Sequence, residues 1–318
     1  MILLASLAGG TILLYFGAEW LVRGSAALAL RAGVSSLLVG LTIVAFGTSA
    51  PELVVSVRAG FDGLGNLAVG NVIGSNIFNI AVILGLSALI RPLKVNAQVL
   101  RFDIWILIIV SFLLLFLLGD NRVGRVDGIV LTAGIILYNV ATVNMNRNVD
   151  RRGKGEGNTS GAAPARHSGK PLIVDIIYIV VGLIALVFGS KFFVTGAVGL
   201  ARLFHISEAV IGLTVIAAGT SLPELATSVV AAFRKEEDIA IGNIVGSNIF
   251  NILGILGITG LLTPFTFPEI RVIDLGFMAG TALVLFPFMK TGYRISRIEG
   301  AFLLTIYMVY TGFLFRRG

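Results

Sequence analysis

Long apolar runs, separated by short polar intervals, recur from one end of the chain to the other. Read as spans they fall at roughly 2–22, 36–58, 66–90, 102–118, 126–145, 172–193, 208–232, 239–262, 273–289 and 297–315. Runs of about 17–25 residues match what a helix needs to cross a hydrocarbon core of about 30 Å. No alternation of period two dominates, so a closed barrel is not expected, and helices are the other way to satisfy the backbone in lipid. The pattern predicts an all-α polytopic membrane protein with ten transmembrane helices.

The polar positions inside these runs are not scattered. Gly40–Ser56 (GLTIVAFGTSAPELVVS) returns as Gly212–Ser228 (GLTVIAAGTSLPELATS), identical at 11 of 17 positions. Gly70–Ile80 (GNVIGSNIFNI) returns as Gly242–Ile252 (GNIVGSNIFNI), identical at 9 of 11. One offset of 172 residues relates both pieces, and it also maps Gly17 onto Gly189 and Pro92 onto Pro264. The expected organisation is therefore a first five-helix repeat at 1–145, a linker at 146–171 and a second repeat at 172–318, forming one transmembrane domain. An odd number of spans per repeat makes the halves enter the membrane from opposite sides, the inverted arrangement of many secondary transporters.

The interval Asn146–Lys170 holds Arg147, Arg151, Arg152, Lys154, Arg166 and Lys170 among Gly, Ser, Asn and Ala. That composition cannot bury a core and reads as a flexible basic tether. Lys and Arg gather on the cytoplasmic side of membrane proteins. With this linker inside, 16 of the 24 basic residues fall inside and 8 outside, which puts both termini outside. The expected location is a cell membrane, crossed many times. The net charge of +7 is then topogenic and implies no nucleic-acid partner. The 56% apolar and 13% charged composition lies far from that of a soluble domain. Absence of cysteine removes thiolate chemistry. The first run starts at Ile2 with no basic lead, so a cleaved signal peptide is not expected. No cofactor and no protein partner are called for, and a monomer suffices.

Of the 17 acidic residues, Glu52 and Glu224 alone fall well inside apolar runs, and they are equivalent in the two repeats. Glu19 is placed near the end of the first span, Asp127, Asp175, Glu208 and Asp274 at span starts, and the rest, Asp103 included, in or beside loops. A carboxylate at mid-membrane costs at least a few kcal/mol, so a pair at matching positions points to function. Thr48, Ser49, Thr220 and Ser221 stand one turn before the glutamates. Pro51 and Pro223, with Gly47 and Gly219, disfavour a straight helix there, which would bare carbonyls such as those of Ala45 and Ala217. Ser75 and Asn79, like Ser247 and Asn251, are four apart and share a helix face. Asn76 and Asn248 read equally well as interhelical glue. Carboxylate, carbonyl, hydroxyl and amide oxygens are hard ligands that suit calcium, sodium or magnesium. Two carboxylates balance one divalent cation. His167 and His205 lie in polar intervals and read as exposed.

GTSAPE and GTSLPE, each followed by GN..GSNIFN, resemble the two alpha repeats of the calcium/cation antiporter superfamily, in its compact prokaryotic sodium/calcium exchanger form. The likeness covers nearly the whole chain. It implies that Glu52 and Glu224 coordinate calcium with help from Thr48 and Thr220. It implies an overlapping sodium set including Ser75, Ser247 and the carbonyls of Ala45 and Ala217, with Ser49, Ser221 and Asn79 completing the polar ring. It further implies antiport of three sodium ions against one calcium ion at a midplane site, with net charge movement. The first and sixth spans would act as a sliding gate, a role that Gly9, Gly10, Gly17, Gly182 and Gly189 fit. Some relatives carry aspartate where this chain has Asn251, which leaves the middle of the site less charged and weakens a potassium-dependent reading. A calcium/proton antiporter using the same glutamates is the alternative. An ion channel is a reading of a different class, and an intramembrane enzyme is disfavoured by the absence of an HExxH pattern or a deep His.

Overall fold

In a computed structural model, residues 2–155, 171–204 and 217–317 are described. Twelve helices and four two-residue strands occur among them. The first repeat holds α1 (Ile2–Ala32), α2 (Ser36–Thr48), α3 (Ala50–Phe61), α4 (Gly65–Ile90), β1 (Leu93–Lys94), α5 (Val99–Leu117), β2 (Arg122–Val123) and α6 (Arg125–Gly155). The second holds α7 (Leu172–Leu203), α8 (Ala217–Thr220), α9 (Leu222–Arg234), α10 (Glu237–Leu262), β3 (Phe265–Thr266), α11 (Val272–Lys290), β4 (Arg294–Ile295) and α12 (Arg297–Arg317). Seven helices among the described residues are long and apolar enough to cross a membrane, and the bent pair α2–α3 makes an eighth. The other two expected spans correspond to α12 and to α8–α9. The first part of the latter span, at 208–216, lies outside the described residues together with Glu208 and His205.

Three boundaries differ from the sequence reading. α1 continues ten residues beyond the expected end at position 22. Arg23 does not stop it, because its guanidinium lies over the Tyr178 ring of α7, 5.4 Å from the centroid. Glu19 is consequently a mid-helix residue, ion-paired with Arg234 at the end of α9. At the other end of the repeat, α6 runs to Gly155, into the interval expected to be a flexible tether. Residues 156–170, with Arg166, His167 and Lys170, lie outside the described residues.

Burial sorts the helices into layers. The apolar window of α10 is wholly buried and that of α4 is 78% buried, whereas α1 and α6 bury 22%. The two repeated GN..GSN segments thus run through the centre. Ile12, Tyr15, Ile136, Leu137, Ile177 and Val180 are exposed on the outer helices, an apolar surface that only lipid can cover at no cost.

α1 and α7 pack along their whole length through glycine. A Cβ at Gly10 would lie 2.5 Å from the Phe193 nitrogen, one at Gly17 2.9 Å from the Gly182 carbonyl, and one at Gly24 2.8 Å from the Asp175 carbonyl. On α7, Gly182, Gly189 and Gly196 meet Leu21, Leu14 and Leu7 in return. Both series step by seven, and the partners descend as α1 ascends, so these equivalent helices run antiparallel with backbones in contact. Gly9, expected to belong to this seam, meets nothing within 4 Å.

The strands tie the repeats together in matching fashion. Leu93 pairs with Ile295 and Lys94 with Arg294, while Arg122 pairs with Thr266 and Val123 with Phe265, both antiparallel. One ladder joins the connection after α4 to that after α11, and the other joins the connection after α5 to that after α10.

Three further carboxylates that the sequence reading placed at span starts or loops are buried: Asp103, Asp175 and Asp274. Asp103 accepts from Tyr138 at 2.9 Å and from Gln98 at 3.4 Å. Asp175 accepts from Arg31 at 2.8 Å. The Asp274 side chain caps its own helix by accepting from the Arg271 amide at 3.0 Å. Each has a partner of its own and none joins the glutamate pair.

Candidate cation site

The break in each motif helix falls where Pro and Gly predict it. α2 and α3 meet at a 46° bend, with Pro51 in the first turn of α3 and Pro223 in that of α9. Ser49 and Ser221 sit at the two breaks with closely matching backbone angles, φ −82°, ψ 6° and φ −88°, ψ 10°. Five-residue-spaced backbone bonding widens the turns beside the site at Gly40–Val44, Asn79–Leu84 and Phe250–Ile255. Such π-type turns re-aim side chains and often mark functional positions; here Asn79 and Asn251 stand at two of them.

Glu52 and Glu224 lie in the first turns of α3 and α9, where the helix N-terminus favours a carboxylate. Both are buried, with relative exposures of 1% and 0%. Their contacts cross between repeats. Ser49 Oγ donates to Glu224 Oε1 at 2.8 Å, and Ser221 Oγ donates to Glu52 Oε1 at 2.9 Å. Ser75 Oγ lies 3.2 Å from Ser221 Oγ, and Ser247 Oγ donates to the Ala45 carbonyl at 3.4 Å. On α10, Asn251 Nδ2 donates to Asn76 Oδ1 at 3.0 Å, and Asn76 Nδ2 to the Asn248 carbonyl at 3.4 Å. Asn76 thereby serves as interhelical glue.

Five buried carboxylate and amide oxygens are left without a protein partner, Glu52 Oε2, Glu224 Oε2, Asn79 Oδ1, Asn248 Oδ1 and Asn251 Oδ1, as are Asn79 Nδ2 and the hydroxyls of Ser25, Ser87, Thr132, Thr142 and Thr227. Orphaned buried acceptors cost free energy unless something outside the chain satisfies them. All five are hard oxygens with lone pairs to give, the donor set of an alkali or alkaline-earth cation. No group of three or more His, Cys, Asp or Glu side chains able to hold a metal occurs among the described residues, so formal charge at this point comes from the glutamate pair.

The remaining expected members take unequal places. Thr48 is buried, whereas Thr220 is only partly so. Ala217 begins α8. Ser190 of α7, which the sequence reading passed over, donates to the Gly219 carbonyl at 2.5 Å and so reaches the second break. Asn71 and Asn243 were missed as well. Each bonds the backbone of its own motif glutamate and the threonine of the other repeat. The signal was available, since both lie in the duplicated GN..GSN segment and are identical between its copies. A cavity of about 870 Å³ between α2, α6, α7 and α10, lined by Phe46, Leu183, Phe188 and Phe250, is too apolar to hold an ion.

The chain as a whole has known relatives. The family described as "Sodium/calcium exchanger protein" matches twice, over residues 2–144 and 174–316. The chain is 34% identical over 338 aligned residues to the sodium/calcium exchanger MaX1 of Methanosarcina acetivorans, covering 96% of each. It is 40% identical over 260 residues to the inner membrane protein YrbG of Escherichia coli, covering 82% of this chain and 80% of that one. A solved structure of the sodium-calcium exchanger NCX_Mj superposes with a TM-score of 0.83 at 31% identity, covering 98% of this chain and 99% of that one.

Proposed function

Because this multi-pass membrane chain belongs to the sodium/calcium exchanger protein family, we propose that it exchanges sodium for calcium at a midplane site built on Glu52 and Glu224. The observation that carries this is the reciprocal pairing at the two helix breaks. Each glutamate accepts one serine from the opposite repeat and keeps its second oxygen unpaired. The ligand set is Glu52, Glu224, Thr48, Thr220, Ser75, Ser247, Asn79 and Asn251, with Ser49 and Ser221 orienting the carboxylates and the Ala45 and Ala217 carbonyls adding backbone oxygens.

The architecture in this reading is ten spans in two inverted five-helix repeats. Supporting it are the constant offset, the antiparallel α1–α7 seam and the two ladders, each joining loops that ten alternating crossings would bring to the same face. The basic-residue count puts both termini outside and the stretch between the repeats in the cytoplasm.

Coupling follows from a shared site. Sodium and calcium both need the glutamate oxygens, so the site takes one cargo at a time. With no cation bound, two carboxylates stay buried without countercharge, a costly state that disfavours reorientation without cargo. One calcium neutralises the pair. Three sodium ions leave the loaded site at +1, so the cycle moves charge.

The test is uptake in proteoliposomes. Protein reconstituted with sodium inside and diluted into sodium-free buffer accumulates calcium, and a potassium–ionophore voltage clamp alters the rate. Uptake driven by a proton gradient with no response to sodium refutes the sodium assignment.

A further inference from the structure

Asn71 and Asn243 occupy equivalent positions on α4 and α10, and their amides are used in the same way. Asn71 Nδ2 donates to the Glu52 carbonyl at 3.1 Å and to Ser56 Oγ at 2.9 Å. Asn243 Nδ2 donates to the Glu224 carbonyl at 3.4 Å and to Ser228 Oγ at 2.9 Å. Because a backbone carbonyl only accepts, the NH₂ end of each amide must face its own repeat, which commits both N–H groups there. The carbonyl oxygen is thereby turned toward the other repeat. Thr48 Oγ1 donates to Asn243 Oδ1 at 3.0 Å, and Thr220 Oγ1 to Asn71 Oδ1 at 3.5 Å.

A threonine hydroxyl has one proton and two lone pairs. For Thr48 that proton has two other takers, the Val44 carbonyl at 3.1 Å and the Ala45 carbonyl at 3.3 Å. Given to Ala45, the proton occupies an oxygen that a cation would use; given to Val44, it leaves the buried Asn243 Oδ1 without the donor it otherwise has. Given to Asn243, it leaves the Thr48 lone pairs and the Ala45 carbonyl free as ligands. We infer that Asn243 and Asn71 are positioning residues of the cation site, each accepting the proton of the opposite repeat's threonine and so converting that hydroxyl from donor to ligand. The same amides brace the helix breaks through the Glu carbonyls, so one side chain fixes both a ligand's polarity and the backbone it works beside. The shorter contact, Thr48–Asn243, lies between buried residues, and it is the pair to test.

This inference rests on the reading of Glu52 and Glu224 as the transported cation's site. Calcium affinity is measured on the full-length protein in detergent from the calcium concentration needed for half-maximal thermal stabilisation, alongside sodium-driven uptake in liposomes. Asn243→Ala weakens calcium binding about tenfold through loss of the Thr48 acceptor, beyond a smaller cost from its lost bonds to Glu224 and Ser228, and raises the calcium needed for half-maximal uptake by a similar factor. In a Thr48→Ser background the same tenfold loss is seen, because the hydroxyl remains. In a Thr48→Ala background the tenfold component disappears and the asparagine substitution keeps only the smaller cost of its bracing bonds to Glu224 and Ser228. A loss of equal size without the hydroxyl would overturn the inference and make Asn243 a structural residue only, as would unchanged affinity in Asn243→Ala itself. If Asn243→Ala does not fold, Asn243→Ser, too short to reach Thr48, enters the same comparison. Wild-type protein without sodium-driven calcium uptake sinks the functional reading instead. Exchange that proceeds normally while the threonine and asparagine effects simply add sinks this inference alone.

Discussion

Neutralising either motif glutamate tests the charge arithmetic of the site directly. In Glu52→Gln the side chain keeps its length and one oxygen but loses a unit charge, and Glu224→Gln does the same on the other repeat. Two buried unit charges about 4 Å apart interact by about 4 kcal/mol at an effective dielectric of about 20. Removing one carboxylate charge thus costs a monovalent cation about 4 kcal/mol and a divalent one about twice that. Taking only the smaller figure, to allow for desolvation, affinity falls about a thousandfold. The unloaded protein responds in the opposite sense. Both carboxylates are buried and each has an unpaired oxygen, so a neutral amide relieves repulsion and the cost of burying charge. Each variant should therefore melt at or above the wild-type temperature without cations and lose the calcium-dependent rise. For the wild type that rise corresponds to about 2.7 kcal/mol at a hundred dissociation constants of calcium. Thermal unfolding in detergent with and without calcium reads both effects, and tracer uptake in liposomes reads transport. The reciprocal Ser49–Glu224 and Ser221–Glu52 contacts make the two variants equally severe. A Gln variant that keeps its calcium-dependent stabilisation, or a tenth of wild-type uptake, would refute the two-carboxylate site.

Two further outcomes follow from packing and charge. A Cβ at Gly17 would lie 2.9 Å from the Gly182 carbonyl, so Gly17→Val overpacks the seam and costs about 1–3 kcal/mol. Gly9→Ala, facing nothing within 4 Å, is neutral or gains up to about 1 kcal/mol of helix propensity; melting temperatures of the two variants distinguish them. Arg234→Glu sets a like charge against Glu19 and slows exchange about fivefold, equivalent to about 1 kcal/mol for a half-exposed pair, and the double reversal with Glu19→Arg restores the rate in the same uptake assay.

Glu52 and Glu224 were legible because a charge inside a long apolar run has a cost that only function justifies, and the duplication repeated the signal. Their partners were legible in kind but not in pairing. Nothing along the chain says that Ser49 serves Glu224 and Ser221 serves Glu52, since that assignment is made by interleaving two breaks that are 172 residues apart in sequence. Asn71 and Asn243 were hidden for a related reason. They sit in the repeated segment, but their importance lies in bonds to the backbone of another helix and to the opposite repeat. Asp103 was misjudged because a carboxylate at the very edge of the expected span at 102–118 reads as facing a loop, whereas Tyr138 and Gln98 satisfy it in a buried place. The end of α1 was misjudged for the same kind of reason. Arg23 interrupts the apolar run, yet the aromatic face of Tyr178 receives it and the helix continues.

The glycine seam also bears on how the chain is made. α1 is synthesised well before its partner surface on α7, which begins only at Leu172. At about 5–20 residues per second, α1 waits roughly 10–30 s in the bilayer before that surface emerges. Throughout this interval a stripe of small residues, the kind of surface on which membrane helices associate, is open to any passing helix. Biogenesis thus exposes for longest the surface that the finished protein packs most closely, and a nascent chain is most vulnerable to mispairing with a neighbour before its second half exists.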